Sequence, residues 1–217
     1  MTRVSAILIG DSVAYGSQGP GVDLVNERLA VTPCQNLNSS QSLFYFGTDY
    51  SKPGASFAKL LSGDATQRLG AGLPMGLSLQ SVLSESAAQA VLICLGGNDS
   101  EWASSVPAYV ESVASICAAA GKIFAFVGVV PVNANHSAAY SGNQANYPIF
   151  LSRSMQIAAV DEAIRQTAIR KGYAYVDVRN LVPVTDWAGL SGDLIHPAQA
   201  YSTKMFSFVG KAIAGEL

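Results

Sequence analysis

Apolar positions along this chain fall into short unbroken runs, and stripes at helical spacing lie between them. The first run is Val4, Ala6, Ile7, Leu8 and Ile9, and it stops at Gly10. A run so apolar and rich in β-branched residues reads as a strand buried on both faces, as in a parallel sheet. Comparable runs at 43–47, 90–95, 123–130 and 173–178 predict four more strands. Helical readings alternate with them. A short helix is expected over 22–30, one at Phe57, Leu60 and Leu61, and one over 77–88. Ser105 is placed to cap a further helix with Pro107 in its first turn, and Val106, Val110, Val113 and Cys117 form its apolar stripe up to a stop at Gly121. Ile157, Val160, Ile164 and Ala168 mark a helix over 151–171, with Arg170 and Lys171 at its carboxyl end and Gly172 after it. The last helix is expected over 198–214. Long loops remain at 62–76, 131–150 and 179–196. Strands alternating with helices imply an α/β fold, a parallel sheet with helices on both faces. No repeat, linker or break in composition divides the chain, so residues 1–217 read as one domain.

Composition narrows the function. Charged residues are only 13% of the chain against roughly 25% in an average globular protein, and the net charge is -2. No basic stripe suggests nucleic acid, and no Lys/Arg cluster suggests an anionic membrane. No transmembrane run or signal peptide is read, because the first apolar segment leads straight into Gly10-Asp11-Ser12. Cys34, Cys94 and Cys117 have neither disulfide nor zinc spacing, and Cys94 and Cys117 read as inert buried thiols.

Chemistry concentrates in the turns that follow the strands. Ser12 follows the first strand, Gly54 the second, Asn98 the third, and Asp193 with His196 the fifth. In a parallel sheet these turns share the carboxyl edge, where sites form. Ser12 can be a nucleophile or simply a helix cap, since Ser and Asp both favour caps. A nucleophilic serine needs a base. His196 lies three residues after Asp193, close enough for the carboxylate to hold the imidazole in one tautomer. His136 has no acid beside it and reads as a loop residue. The N–H groups of Ser12 and Gly54 and the Asn98 amide could stabilise an oxyanion, each such donor lowering the barrier by about 3–4 kcal/mol. A turn glycine after Pro53 and an Asx turn at Asn98 are the plain alternatives.

Gly10-Asp11-Ser12 with Tyr15-Gly16, Pro53-Gly54-Ala55-Ser56, Gly96-Gly97-Asn98-Asp99 and Asp193-Leu194-Ile195-His196-Pro197 stand in the order of the SGNH, or GDSL-like, hydrolase motifs. The chain resembles that family over essentially its whole length, with Val13 where an aliphatic residue follows the serine. The resemblance implies a three-layer α/β/α fold with a flavodoxin-like five-stranded sheet. It also implies Ser12 as nucleophile, His196 as base and Asp193 as the acid that orients it. Ser12, Gly54 and Asn98 would form the oxyanion hole, with no metal or organic cofactor.

A nucleotide- or flavin-binding module is the main rival class, but the first turn lacks Gly-x-Gly-x-x-Gly and no Walker lysine follows a Gly-rich loop. A non-catalytic, glycan-binding relative is the second, and the complete triad set argues against it. Asp11, Trp102, Tyr140, Tyr147, Trp187 and Ile195 are the candidates to meet substrate. With Asn133, Asn135 and Asn143, the loop aromatics suit a sugar, although they could equally pack the loops. The expected substrate is a small acyl ester, an acetylated glycan in particular, with lysophospholipase or thioesterase action as the alternative.

Overall fold

The structure, a computed structural model, describes residues 2–16, 29–63, 78–99, 103–131, 147–181 and 196–216, with backbone alone at 147–151 and 153. Five strands form its sheet: β1 (Val4–Gly10), β2 (Phe44–Asp49), β3 (Ala90–Cys94), β4 (Ile123–Val127) and β5 (Ala174–Val176). They run parallel in the order β2-β1-β3-β4-β5, the flavodoxin-like order.

Alternation along β1 sends Ile7 and Ile9 to one face and Ala6 and Leu8 to the other, and Val91/Ile93 and Ala90/Leu92 split likewise on β3. Both faces are buried, which is why these strands read as continuous apolar runs. On the first face pack α3 (Phe57–Ser62), α4 (Leu79–Glu85), α5 (Val106–Ala119) and α6 (Tyr147–Lys171). On the second lie α1 (Ser12–Tyr15), α2 (Pro33–Ser40) and α7 (Gln199–Ala214), through Ala14, Leu37, Met205, Phe206 and Val209. Leu92 and Ile93, essentially unexposed, sit at the middle of the two cores. Truncating either to alanine is expected to cost about 2–5 kcal/mol.

Several expectations shift. The chain forms α2, where no helix was read. Its residues are polar, but Thr32 and Gln35 make a reciprocal capping box and Pro33 stands in the first turn. The helix expected over 22–30 lies outside the described residues except at 29 and 30, which are not helical. Ser105 occupies the cap position of α5 but makes no capping hydrogen bond. α6 begins at Tyr147, so the last residues of the expected 131–150 loop are helical.

β2 is an edge strand, and its outward backbone groups at Phe44 and Phe46 are matched by side chains. Gln41 accepts from the Phe44 N–H at 2.7 Å and donates to the Phe44 carbonyl at 3.0 Å. Two residues on, Asn38 accepts from the Phe46 N–H at 2.7 Å and donates to its carbonyl at 3.0 Å. Arg3, at the start of β1, donates to the carbonyls of Asn38 and Gln41, which fastens the end of α2 to the sheet.

Candidate active site

The carboxyl edge of β1 turns sharply into α1. A side chain at Gly10 would place its Cβ 2.2 Å from Ala14 Cβ and 2.7 Å from the Cys94 carbonyl, so glycine is needed for the strand to enter the turn. Asp11 takes the cap position and accepts the Val13 N–H at 3.0 Å. That leaves Ser12 as the first helical residue, with its hydroxyl not spent on capping and its N–H without an intrahelical partner. The cap position therefore falls to Asp11 and not to Ser12.

Ser12 Oγ lies 2.8 Å from His196 Nε2, across 184 residues of sequence. His196 is 9% exposed and precedes α7 by three residues. Gln199, first in α7, accepts from the Val31 N–H at 2.9 Å and donates to the Val31 carbonyl at 3.0 Å. These bonds hold the end of the chain that carries His196 against the 29–31 segment.

Gly54 sits in a turn after β2. Pro53 supplies the fixed φ, Gly54 has φ +78°, and the Ala55 N–H donates to the Lys52 carbonyl at 3.1 Å, as in a type II turn. That bond does not use the Gly54 N–H, and the space beside its Cα is open. Lys52 N–H donates to the Gly10 carbonyl at 2.9 Å, which ties this turn to the end of β1. Asn98, after β3, donates one amide N–H to the Ala55 carbonyl at 2.9 Å, and a second N–H remains on the same nitrogen. Thus the structure brings Ser12, Gly54, Asn98 and His196 to one edge of the sheet.

Asp11 does not line a substrate-facing wall. It is 4% exposed, and its carboxylate accepts backbone N–H groups from Val13 and Gly97 beneath the site. Burial pushes its carboxyl up to about 6, against the lowering effect of those amides and of His196 nearby. Asp193, Trp102, Tyr140, Trp187, Ile195 and His136 lie outside the described residues. Tyr147 opens α6 rather than standing in a loop, and its side chain is not described. Cys94 and Cys117 are buried; burial pushes the Cys117 thiol up to about 12. Among the described residues, no group of three His, Cys, Asp or Glu could hold a metal, and no helix is long and apolar enough to cross a membrane.

Residues 8–201 match the GDSL-like lipase/acylhydrolase family. No curated protein sequence matches the chain. Among solved structures it is similar to Est24, a carbohydrate acetylesterase from Sinorhizobium meliloti, at 13% identity and a TM-score of 0.64 over 99% of this chain and 100% of that one. It is similar to the psychrotrophic esterase EstA from Pseudoalteromonas sp. at 14% identity and a TM-score of 0.64, over 97% of both chains. It is also similar to LAE5, an alpha/beta hydrolase enzyme from the metagenome of Lake Arreo, Spain, at 14% identity and a TM-score of 0.67 over 99% of this chain and 96% of that one.

Proposed function

The chain belongs to the GDSL-like lipase/acylhydrolase family, and on that premise we propose that it is a serine esterase working through Ser12, His196 and Asp193. The observation that carries this reading is the 2.8 Å contact between Ser12 Oγ and His196 Nε2. At that distance the imidazole can take the hydroxyl proton as Oγ attacks an ester carbonyl. The carbonyl oxygen becomes an oxyanion, received by the N–H groups of Ser12 and Gly54 and by the Asn98 amide. Collapse of the tetrahedral intermediate breaks the ester C–O bond, and His196 gives its proton to the leaving alcohol. Water then attacks the acyl-Ser12 ester, again losing a proton to His196; the bond between the acyl carbon and Oγ breaks, His196 returns the proton to Oγ, and the carboxylic acid leaves. Asp193 is assigned the imidazolium partner on its spacing from His196.

The acyl group is small, acetyl in particular, and the alcohol part is a carbohydrate. This rests on the aromatic and amide residues that the sequence places between 131 and 146 and around 187, and on the name carried by Est24. The test is a series of p-nitrophenyl esters of increasing chain length, run beside acetylated glycans. Rates that fall from acetate onward, with release of acetate from glycans, are expected. Rates that climb to long chains would instead assign the protein to lipolytic or thioester substrates. Stoichiometric labelling of Ser12 by an organophosphonate separates an esterase from a nucleotide-binding or purely glycan-binding protein of the same fold.

A further inference from the structure

Asp99 is a fully buried carboxylate beside the site, and no step above uses it. Its partners are backbone groups 42 residues earlier in the chain: Oδ1 and Oδ2 accept the Phe57 N–H at 3.1 and 3.0 Å. The Ala58 N–H donates to the same carboxylate. One residue before it, Asn98 holds the Ala55 carbonyl at 2.9 Å. The backbone just after Gly54 is therefore gripped by the β3 turn at three points, while Lys52 just before it is tied to Gly10. Between these anchors the Pro53–Gly54 peptide has little freedom to rotate.

We propose that Asp99 is a positioning residue of the ester-hydrolysing site: its carboxylate fixes the backbone downstream of Gly54, and with it the direction of the Gly54 N–H. This rests on the reading of Gly54 as an oxyanion donor. A carboxylate suits the task because it is acceptor-only, so two converging N–H groups can both be received. An amide would offer one oxygen and turn an opposing NH2 toward the second donor. A donor displaced by a fraction of an ångström weakens mainly in the transition state, when the oxygen carries charge.

The experiment compares wild type, Asp99→Asn, Ser12→Ala and the remote core variant Val113→Ala on p-nitrophenyl acetate, well below each melting temperature. Affinity for a boronic acid that mimics the tetrahedral state is measured alongside. Asp99→Asn is expected to lower kcat by about 10–100-fold, with KM within about twofold and boronate affinity falling by the same factor as kcat. Full kcat in folded Asp99→Asn overturns the proposal, as does a loss that Val113→Ala reproduces at the same distance from melting. Activity surviving in Ser12→Ala overturns the site itself, a separate failure. If Asp99→Asn does not fold, amide exchange in the wild type decides. The Phe57 and Ala58 N–H groups should exchange only through global unfolding, and exchange as fast as in surface loops overturns the role.

Discussion

Three buried aspartates stand along the carboxyl edge of one sheet, and its two sides engage them differently. On the β1–β3 side, Asp11 and Asp99 accept backbone N–H groups from Val13, Gly97, Phe57 and Ala58. On the β4–β5 side, Asp161 accepts the Val129 N–H at 2.8 Å and otherwise meets side chains: the Tyr175 hydroxyl at 2.9 Å and Arg179 Nε at 3.3 Å. Arg179 is shared with Asp177 and Glu162. Burial raises the pKa of all three of these aspartates, yet the structural result differs. A carboxylate bonded to main chain fixes the main chain, and precision passes directly to the neighbouring N–H of Ser12 or Gly54. Asp161 fixes one amide, that of Val129, and its other contacts go to rotatable side chains that hold the ends of β4 and β5 together. Anchoring by backbone N–H groups without an ion pair lies beside Ser12 and Gly54, and ion pairing is added where β4 and β5 meet.

The sharpest break of this contrast is Ser12→Ala. If the backbone-anchored side is the reactive one, kcat/KM for p-nitrophenyl acetate should fall by about 10⁴–10⁶-fold with little change in melting temperature. Near-normal turnover would leave the contrast without functional meaning. Next in size is Asn98→Ala, expected to lower kcat by about 10²–10³-fold with KM nearly kept. A raised KM with kcat kept would make Asn98 only a strut for Ala55. Asp11→Asn sharpens the comparison through pH. The folded-state pKa of Asp11 is raised from 3.8 to about 6. Its contribution to stability is therefore fully present below about pH 4 and lost as pH rises through about 6. The wild-type melting temperature should carry this decline across that window, and the Asp11→Asn curve should lack it. Curves that run parallel from about pH 4 to about pH 7 would contradict the assignment. The smallest effect is expected on the ion-paired side. Tyr175→Phe should cost about 0.5–1.5 kcal/mol in denaturant unfolding and leave kcat unchanged. A kcat loss there would erase the distinction between the two sides.

How much of this was legible in the sequence depends on the range of the interaction. The strands were, because both faces of the sheet are covered and each strand became an unbroken apolar run. The turns at Ser12, Gly54, Asn98 and His196 were, because a parallel sheet sends every strand end to the same edge. α2 was not read because its stripe is weak, although Thr32-Pro33-Cys34-Gln35 carries a cap signature. The early start of α6 carries a signal in Pro148, second in the helix, but Tyr147-Pro148-Ile149-Phe150 shows no helical stripe of its own. Asp99 stands in a motif that gives it no role of its own, since nothing local links it to Phe57, 42 residues away. Asp11 was assigned to substrate because its motif was legible but its burial was not. Asp161, Tyr175 and Arg179 meet only once β4 and β5 are paired, and no periodicity announces them.

The sealed rim at β2 has a consequence beyond the site. A free parallel edge is a template onto which another chain can add a strand. Here the two amides of Gln41 and Asn38 occupy the outward groups of Phe44 and Phe46 as a surrogate neighbour would. The surrogate sits on an eight-residue helix and the linker after it, not on another strand. Were α2 to fray, the outward groups of Phe44 and Phe46 would lose these partners while the sheet and its buried aspartates stayed intact.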